Sequence, residues 1–197
     1  MAAALNPSGS DRPVFKVDRK RQFHFLHGDD EAAIENAKRA IVEAHLTSEE
    51  RDENYREIIP SGSPPTLKKV LGEVLAELST VSFLPDAKRV VTLYTVNDFF
   101  EARSAKTARA KAKAAAEAAS QKLTPSEHLA RFIETELPRL PAVLIVIAVE
   151  DYEKWKRVSP KNPVVDLATQ TGALRVFKEE SPQFAFFDAL FERDTNR

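Results

Sequence analysis

Cysteine is absent from the 197 residues. That excludes disulfide frameworks, thiolate metal sites and cysteine nucleophiles, and it fits a reducing compartment such as the cytoplasm. Glycine is scarce, with five residues. Net charge is nearly absent too, at -1, which argues against coating nucleic acid by bulk electrostatics. The longest apolar stretch, Ala142 to Val149, falls far short of the roughly 20 residues that span a bilayer, so no membrane partner is expected. The start, MAAALNPSGSDRP, has neither the basic flank nor the apolar run of a secretion signal.

What is present is an alternation of strand and helix patterns. Residues 1 to 22 are polar, contain Pro7, Gly9 and Pro13, and read as a mobile leader. Its basic step, Arg19-Lys20-Arg21, reads as a solvated strand flank. Phe23 to Leu26 is a short apolar strand. Glu31 to Ala44 follows with Ala33, Ile34, Ala37, Ile41 and Ala44 at helical spacing, and Asp29 or Asp30 as N-cap. Asn54 to Ile59 reads as a second strand. After PSGSPP, Pro65 opens a helix whose inner stripe is Leu67, Val70, Leu71, Val74, Leu75 and Leu78. Arg89 to Tyr94 is a third strand.

Glu101 to Lys122 is different: ten alanines, six basic residues and two glutamates, about +4. This composition predicts an exposed helix, inserted between sheet elements. Thr124 and Pro125 then open a helix that turns Leu129, Phe132, Ile133 and Leu137 inward. AVLIVIAV, apolar at every position, is expected at the centre of a parallel sheet covered on both faces. A charged turn and a proline-rich loop lead to a fifth strand, Leu174 to Phe177, and Phe184 to Phe191 is a last amphipathic helix. The fold class is therefore α/β, three layers around a parallel five-stranded sheet.

The first strand–helix junction, His27-Gly28-Asp29-Asp30-Glu31, is where nucleotide-binding folds hold phosphate. A phosphate loop follows GxxxxGK[ST], with a lysine for the β- and γ-phosphates and a hydroxyl for magnesium. From Gly28 onward this chain has no second glycine, lysine, serine or threonine in the required places. Three acids stand there instead, suited to the positive end of a helix and repulsive to a triphosphate. No nucleotide cofactor is expected. A metal site from His24, His27, Asp29 and Asp30 is disfavoured, because His24 and His27 point to opposite faces of a strand. His45 and His128 stand alone, no G-x-S-x-G elbow surrounds a serine, and the acid pairs Glu49-Glu50 and Glu179-Glu180 read as solvated. No catalytic constellation emerges.

Leu78 to Tyr94, LSTVSFLPDAKRVVTLY, is more informative. Val81, Phe83 and Leu84 lie on a short helix-to-strand connection. Either Phe83 and Leu84 plug the base of the sheet, as most large apolar residues do, or they are presented to a partner's pocket as anchors.

Four segments in order, FHFLHGDDEAAIENA, VSFLPDAKRVVTLY, LPAVLIVIAVEDYEKWKR and ALRVFKEESP, resemble the N-terminal domain of the delta subunit of the bacterial DNA polymerase III clamp loader. The resemblance implies an AAA+-like (P-loop-like) domain, residues 23 to 181, that has lost its phosphate loop and hydrolyses no ATP. It implies a non-enzymatic subunit that inserts an apolar pair into the sliding clamp and helps open it during DNA replication. Val81, Ser82, Phe83 and Leu84 take the clamp-contact position, with Phe-Leu where the family pattern is Leu-Phe. The 101–122 segment is longer than in the family; Lys106, Arg109 and Lys113 share one of its faces, where they would meet DNA phosphates, although a solvated helix is the plainer reading. The family also has a helical lid and a C-terminal collar through which loader subunits assemble. Neither fits after residue 181, and residues 182 to 197 resemble only the start of a collar, so the chain is expected to be a fragment or a shortened relative. Two alternatives from other classes remain: a doubly wound small-molecule enzyme with its site at the strand C-terminal ends, and a nucleic-acid-binding module using the 101–122 helix.

Overall fold

Five parallel strands form one sheet in the order β2-β3-β4-β1-β5. They are β1 (Phe23–Gly28), β2 (Tyr55–Ile58), β3 (Arg89–Tyr94), β4 (Ala142–Val149) and β5 (Leu174–Phe177). The computed structural model describes residues 15–60, 67–82, 87–94, 123–149 and 158–178. Outside these lie Phe83 and Leu84, the 101–122 segment with Lys106, Arg109 and Lys113, the helix expected at 184–191, and the first fourteen residues of the leader. The other helices are α1 (Glu31–His45), α2 (Ser48–Asn54), α3 (Leu67–Ser79), α4 (Pro125–Thr135) and α5 (Pro163–Gln170).

β4 sits between β3 and β1, and seven of its eight residues are buried. That is the expected fate of an uninterrupted apolar run. Alternation along each strand sorts the interior into two layers. On one face Phe23, Phe25, Val91, Leu93, Leu144 and Val146 pack against α3, α4 and α5. On the other, Leu26, Val90, Val143, Ile145 and Ile147 meet Ile34, Ala37, Ile41 and Val42 of α1.

Helix starts follow local chemistry. Asp30, rather than Asp29, caps α1, its carboxylate accepting from the Ala33 amide at 2.9 Å. Thr124 and Glu127 form a reciprocal capping box ahead of Pro125, and each such cap contributes about 1 kcal/mol. Two helices lay outside the sequence expectation. α2 starts on a Thr47–Glu50 capping box. α5 occupies what reads as a proline-rich loop, because Asn162 caps it through the Val164 amide and Pro163 fits the first turn.

Residues 15–22, assigned from sequence to the leader, make defined contacts. Phe15 lies 6.1 Å from the Phe177 ring, and Val17 packs against the α1-side layer. The Gln22 side-chain amide donates to the carbonyls of Leu140 and Ala142. Among the described residues no helix is long and apolar enough to cross a membrane.

Candidate partner-binding connection and the closed first corner

Because all strands run one way, the sheet has two distinct ends. The corner between β1 and α1 lies where strands finish, and the connection from α3 to β3 lies where they begin.

At the corner, β1 ends on Gly28, whose φ of 141° belongs to glycine. The neighbouring strand makes the residue choice stricter still: a Cβ here would lie 1.6 Å from the Phe177 carbonyl oxygen. The same carbonyl accepts from the Asp29 amide at 3.0 Å and from the Asp30 amide at 3.5 Å. The Glu31 amide donates to the Asp29 carbonyl, and the Ala33 amide to the Asp30 carboxylate. Amides that a phosphate loop would aim at an anion are thus turned onto the chain's own oxygens. Glycine here serves the close approach of β5.

The metal arrangement weighed from sequence is not assembled. His27 shares a face with Phe25, their rings 6.0 Å apart and edge-on, while His24 alternates onto the α1 side. No group of three or more metal-ligating side chains occurs among the described residues.

His24 is buried, 3% exposed, and its Nε2 has no hydrogen-bond partner. Burial, followed by the nearby His45, Arg21 and Arg175, lowers its pKa from 6.5 to about 4. The folded state therefore binds this proton less readily than the unfolded chain. The stability His24 provides is complete above pH 6.5 and is lost as pH falls towards 4, by at most about 3 kcal/mol. In His24→Leu, the fall in unfolding free energy between pH 7 and pH 4.5 should shrink by about 2 kcal/mol; urea titrations at the two pH values measure it, and an unchanged fall would reject the assignment.

A polar network absent from the sequence reading ties α1 to the edge strand. Lys38 donates to Glu35 at 2.6 Å, to Glu57 at 2.9 Å and to the Tyr94 hydroxyl at 2.6 Å. The Tyr94 hydroxyl donates to Glu35 at 2.8 Å, and Tyr55 donates to Glu57. Burial alone would lower the Lys38 pKa, but hydrogen bonds to Glu35, Tyr94 and Glu57 outweigh it and the pKa rises. Burial would raise that of Glu57, yet the bonds from Tyr55 and Lys38 lower it. A lysine fixed in its charged form is a poor general base or nucleophile, so the network is a brace. Lys38→Met should destabilise by about 1–2 kcal/mol, given partly exposed carboxylates, and speed amide exchange in β2; exchange rates confined to their original values would refute the brace.

The α3–β3 connection is firmly rooted at both ends. Leu78 in α3 and Ala87 before β3 are buried. The Thr80 hydroxyl donates to the Ala76 carbonyl at 2.9 Å, closing the helix. Arg89 opens β3, pairs with Glu77 of α3, and donates to the Glu53 carbonyl at 2.5 Å. Between these roots Val81 is 75% exposed and Ser82 is half-buried. Val81 and Ser82 are thus brought to the starting end of the sheet, away from the corner.

Together, the all-parallel sheet, its strand order and its two helical layers make this an α/β domain with an AAA+-like fold. The fold is similar to that of the Bacillus subtilis DNA clamp loader delta protein (YqeN), with a TM-score of 0.54 and 13% sequence identity over 81% of this chain. The match covers 39% of the Bacillus chain. No family model matches the sequence, and no curated protein matches it significantly.

Proposed function

We propose that the chain is a non-catalytic, clamp-loader-like component that binds a sliding clamp through residues 81–84 and helps open it during DNA replication. The observation that carries this reading is Val81: a large apolar side chain, 75% exposed, at the head of a rooted connection in a fold shared with a clamp loader delta protein. An apolar side chain held in water between two buried anchors suits insertion into a partner's pocket. Phe83 and Leu84 are the anchors in this proposal, with Val81 and Ser82 beside them.

The corner chemistry supports the non-catalytic part of the reading. Its amides are engaged internally, and Asp29, Asp30 and Glu31 repel a triphosphate. The other loader subunits are partners if the natural chain carries a collar, and the cytoplasm is the compartment where such a machine works. Lys106, Arg109 and Lys113 are proposed as a secondary contact to DNA. The test is capture of the same organism's sliding clamp by the whole chain, compared with a variant altered at positions 83 and 84.

A further inference from the structure

Two guanidinium groups converge on one turn at the starting end of the sheet. Arg21, just before β1, donates from Nη1 to the Thr171 carbonyl at 2.8 Å. Arg175, in β5, donates from Nη1 to the Gly172 carbonyl at 2.9 Å and to the Leu174 carbonyl at 2.7 Å. Gly172 has a φ of 66°, and a Cβ added there would approach the Arg21 Nη atoms to 3.8 and 3.9 Å. A methyl group at 172 would thus rest against the Arg21 guanidinium at ordinary contact distance, so this guanidinium lies directly over the turn.

Charge balance here is one-sided. Asp18, itself exposed, lies 4.0 Å from Arg21 Nε; among the described residues no carboxylate forms an ion pair with Arg175 within 4 Å. Behind the arginines stands His24 of β1, buried and without a partner for Nε2, and His45 of α1 has an unpartnered Nε2 as well. The groups that act on His24 are His45, Arg21 and Arg175, and those that act on His45 include Lys88 and Arg19. All of these are basic. The two arginines divide the carbonyls between them, Arg21 taking Thr171 and Arg175 taking Gly172 and Leu174. Two like charges are thereby held at one turn, a cost that a bound anion offsets.

Each guanidinium has five N–H donors in a planar fork, and Nη1 alone accounts for the carbonyl bonds. We propose that Arg21 and Arg175 form a binding site for a phosphate group, presented either as the free anion or within a nucleic-acid strand. The fork geometry matches phosphate oxygens, which accept paired charge-assisted bonds. His24, buried behind the pair, reports occupancy, because an anion there favours its protonated form. This site is independent of residues 81–84 and of the clamp reading.

The test follows the His24 ring resonances through a pH titration of the whole chain, with inorganic phosphate or chloride at equal ionic strength. Phosphate should raise the His24 titration midpoint by about half a unit or more, saturating on the order of millimolar as a single small anion does. The Arg21→Gln/Arg175→Gln variant should lose the shift. Arg21→Lys/Arg175→Lys keeps the charge without the fork and should bind about tenfold more weakly; it carries the test if the glutamine variant does not fold. Competition with a short single-stranded oligonucleotide separates the sources: displacement of phosphate identifies a nucleic-acid strand, and no displacement identifies the free anion. A midpoint equal in phosphate and chloride, or a shift undiminished in a folded variant, overturns the proposal.

Discussion

The double variant Phe83→Ala/Leu84→Ala should retain the wild-type unfolding midpoint and lose sliding-clamp binding by about a hundredfold or more. The magnitude follows from two apolar anchors at about 2 kcal/mol each when truncated at the centre of an interface, with roughly 1.4 kcal/mol per tenfold. The stability expectation follows from how the connection is rooted. Leu78, Ala87 and the Arg89–Glu77 pair hold its two ends, and the double substitution alters none of these residues. Core residues behave oppositely: truncating a buried leucine or phenylalanine costs about 2–5 kcal/mol. Urea unfolding beside a clamp-binding titration separates the cases. A midpoint that falls by the core amount, with binding by the folded fraction unchanged, would mean that the two residues serve the sheet's interior.

Gly28→Ala should be among the most damaging single substitutions in the chain. The new methyl would fall 1.6 Å from the Phe177 carbonyl oxygen and also meet the carbonyl carbon at 2.6 Å and the amide nitrogen at 2.9 Å. Those are backbone atoms of a paired strand, so relief requires β5 to separate from β1 at that point. The φ of 141° adds strain for any L side chain. A loss of about 4 kcal/mol or more is expected, in the range reserved for disrupted backbone packing. Gly172→Ala is the control: a positive φ but no backbone neighbour in the way, costing about 1–2 kcal/mol. Denaturant titration of both variants tests the contrast, and equal losses would show that close approach of β5 is not what requires glycine at 28.

What the sequence made readable was local. The unbroken AVLIVIAV run marked the central strand, Thr124-Pro125 marked a helix start, and the alternation of β1 separated His24 from His27. The acids after Gly28 were legible as helix-cap chemistry, and Asp30 is the cap. α2 and α5 escaped for a different reason: α2 has no apolar residue and α5 only a short apolar stripe, and only the Thr47–Glu50 and Asn162–Pro163 signatures announced them. The Lys38 brace depends on β2 and β3 lying under α1. Spacing shows Glu35 and Lys38 as neighbours on a helix, yet no local pattern supplies Glu57 and Tyr94 from two strands. In the same way, the pressure on Gly28 comes from Phe177, nearly 150 residues away and adjacent only because β5 pairs with β1.

The closed corner carries a magnitude that decides how it should behave. Two amide bonds to the Phe177 carbonyl and one cap are worth about 1 kcal/mol each, a modest cost against the roughly 8 kcal/mol of micromolar binding. Hydrogen bonding alone would not exclude a nucleotide. In the proposed non-catalytic reading, exclusion rests on the added repulsion from Asp29, Asp30 and Glu31, and on the missing lysine that would otherwise hold the terminal phosphates.

Calorimetric titration of the whole chain with ATP and magnesium tests this most directly. The account predicts no saturable heat with ATP in the range of about a millimolar. Saturable micromolar binding at the β1–α1 corner, abolished by blocking that corner, would contradict it.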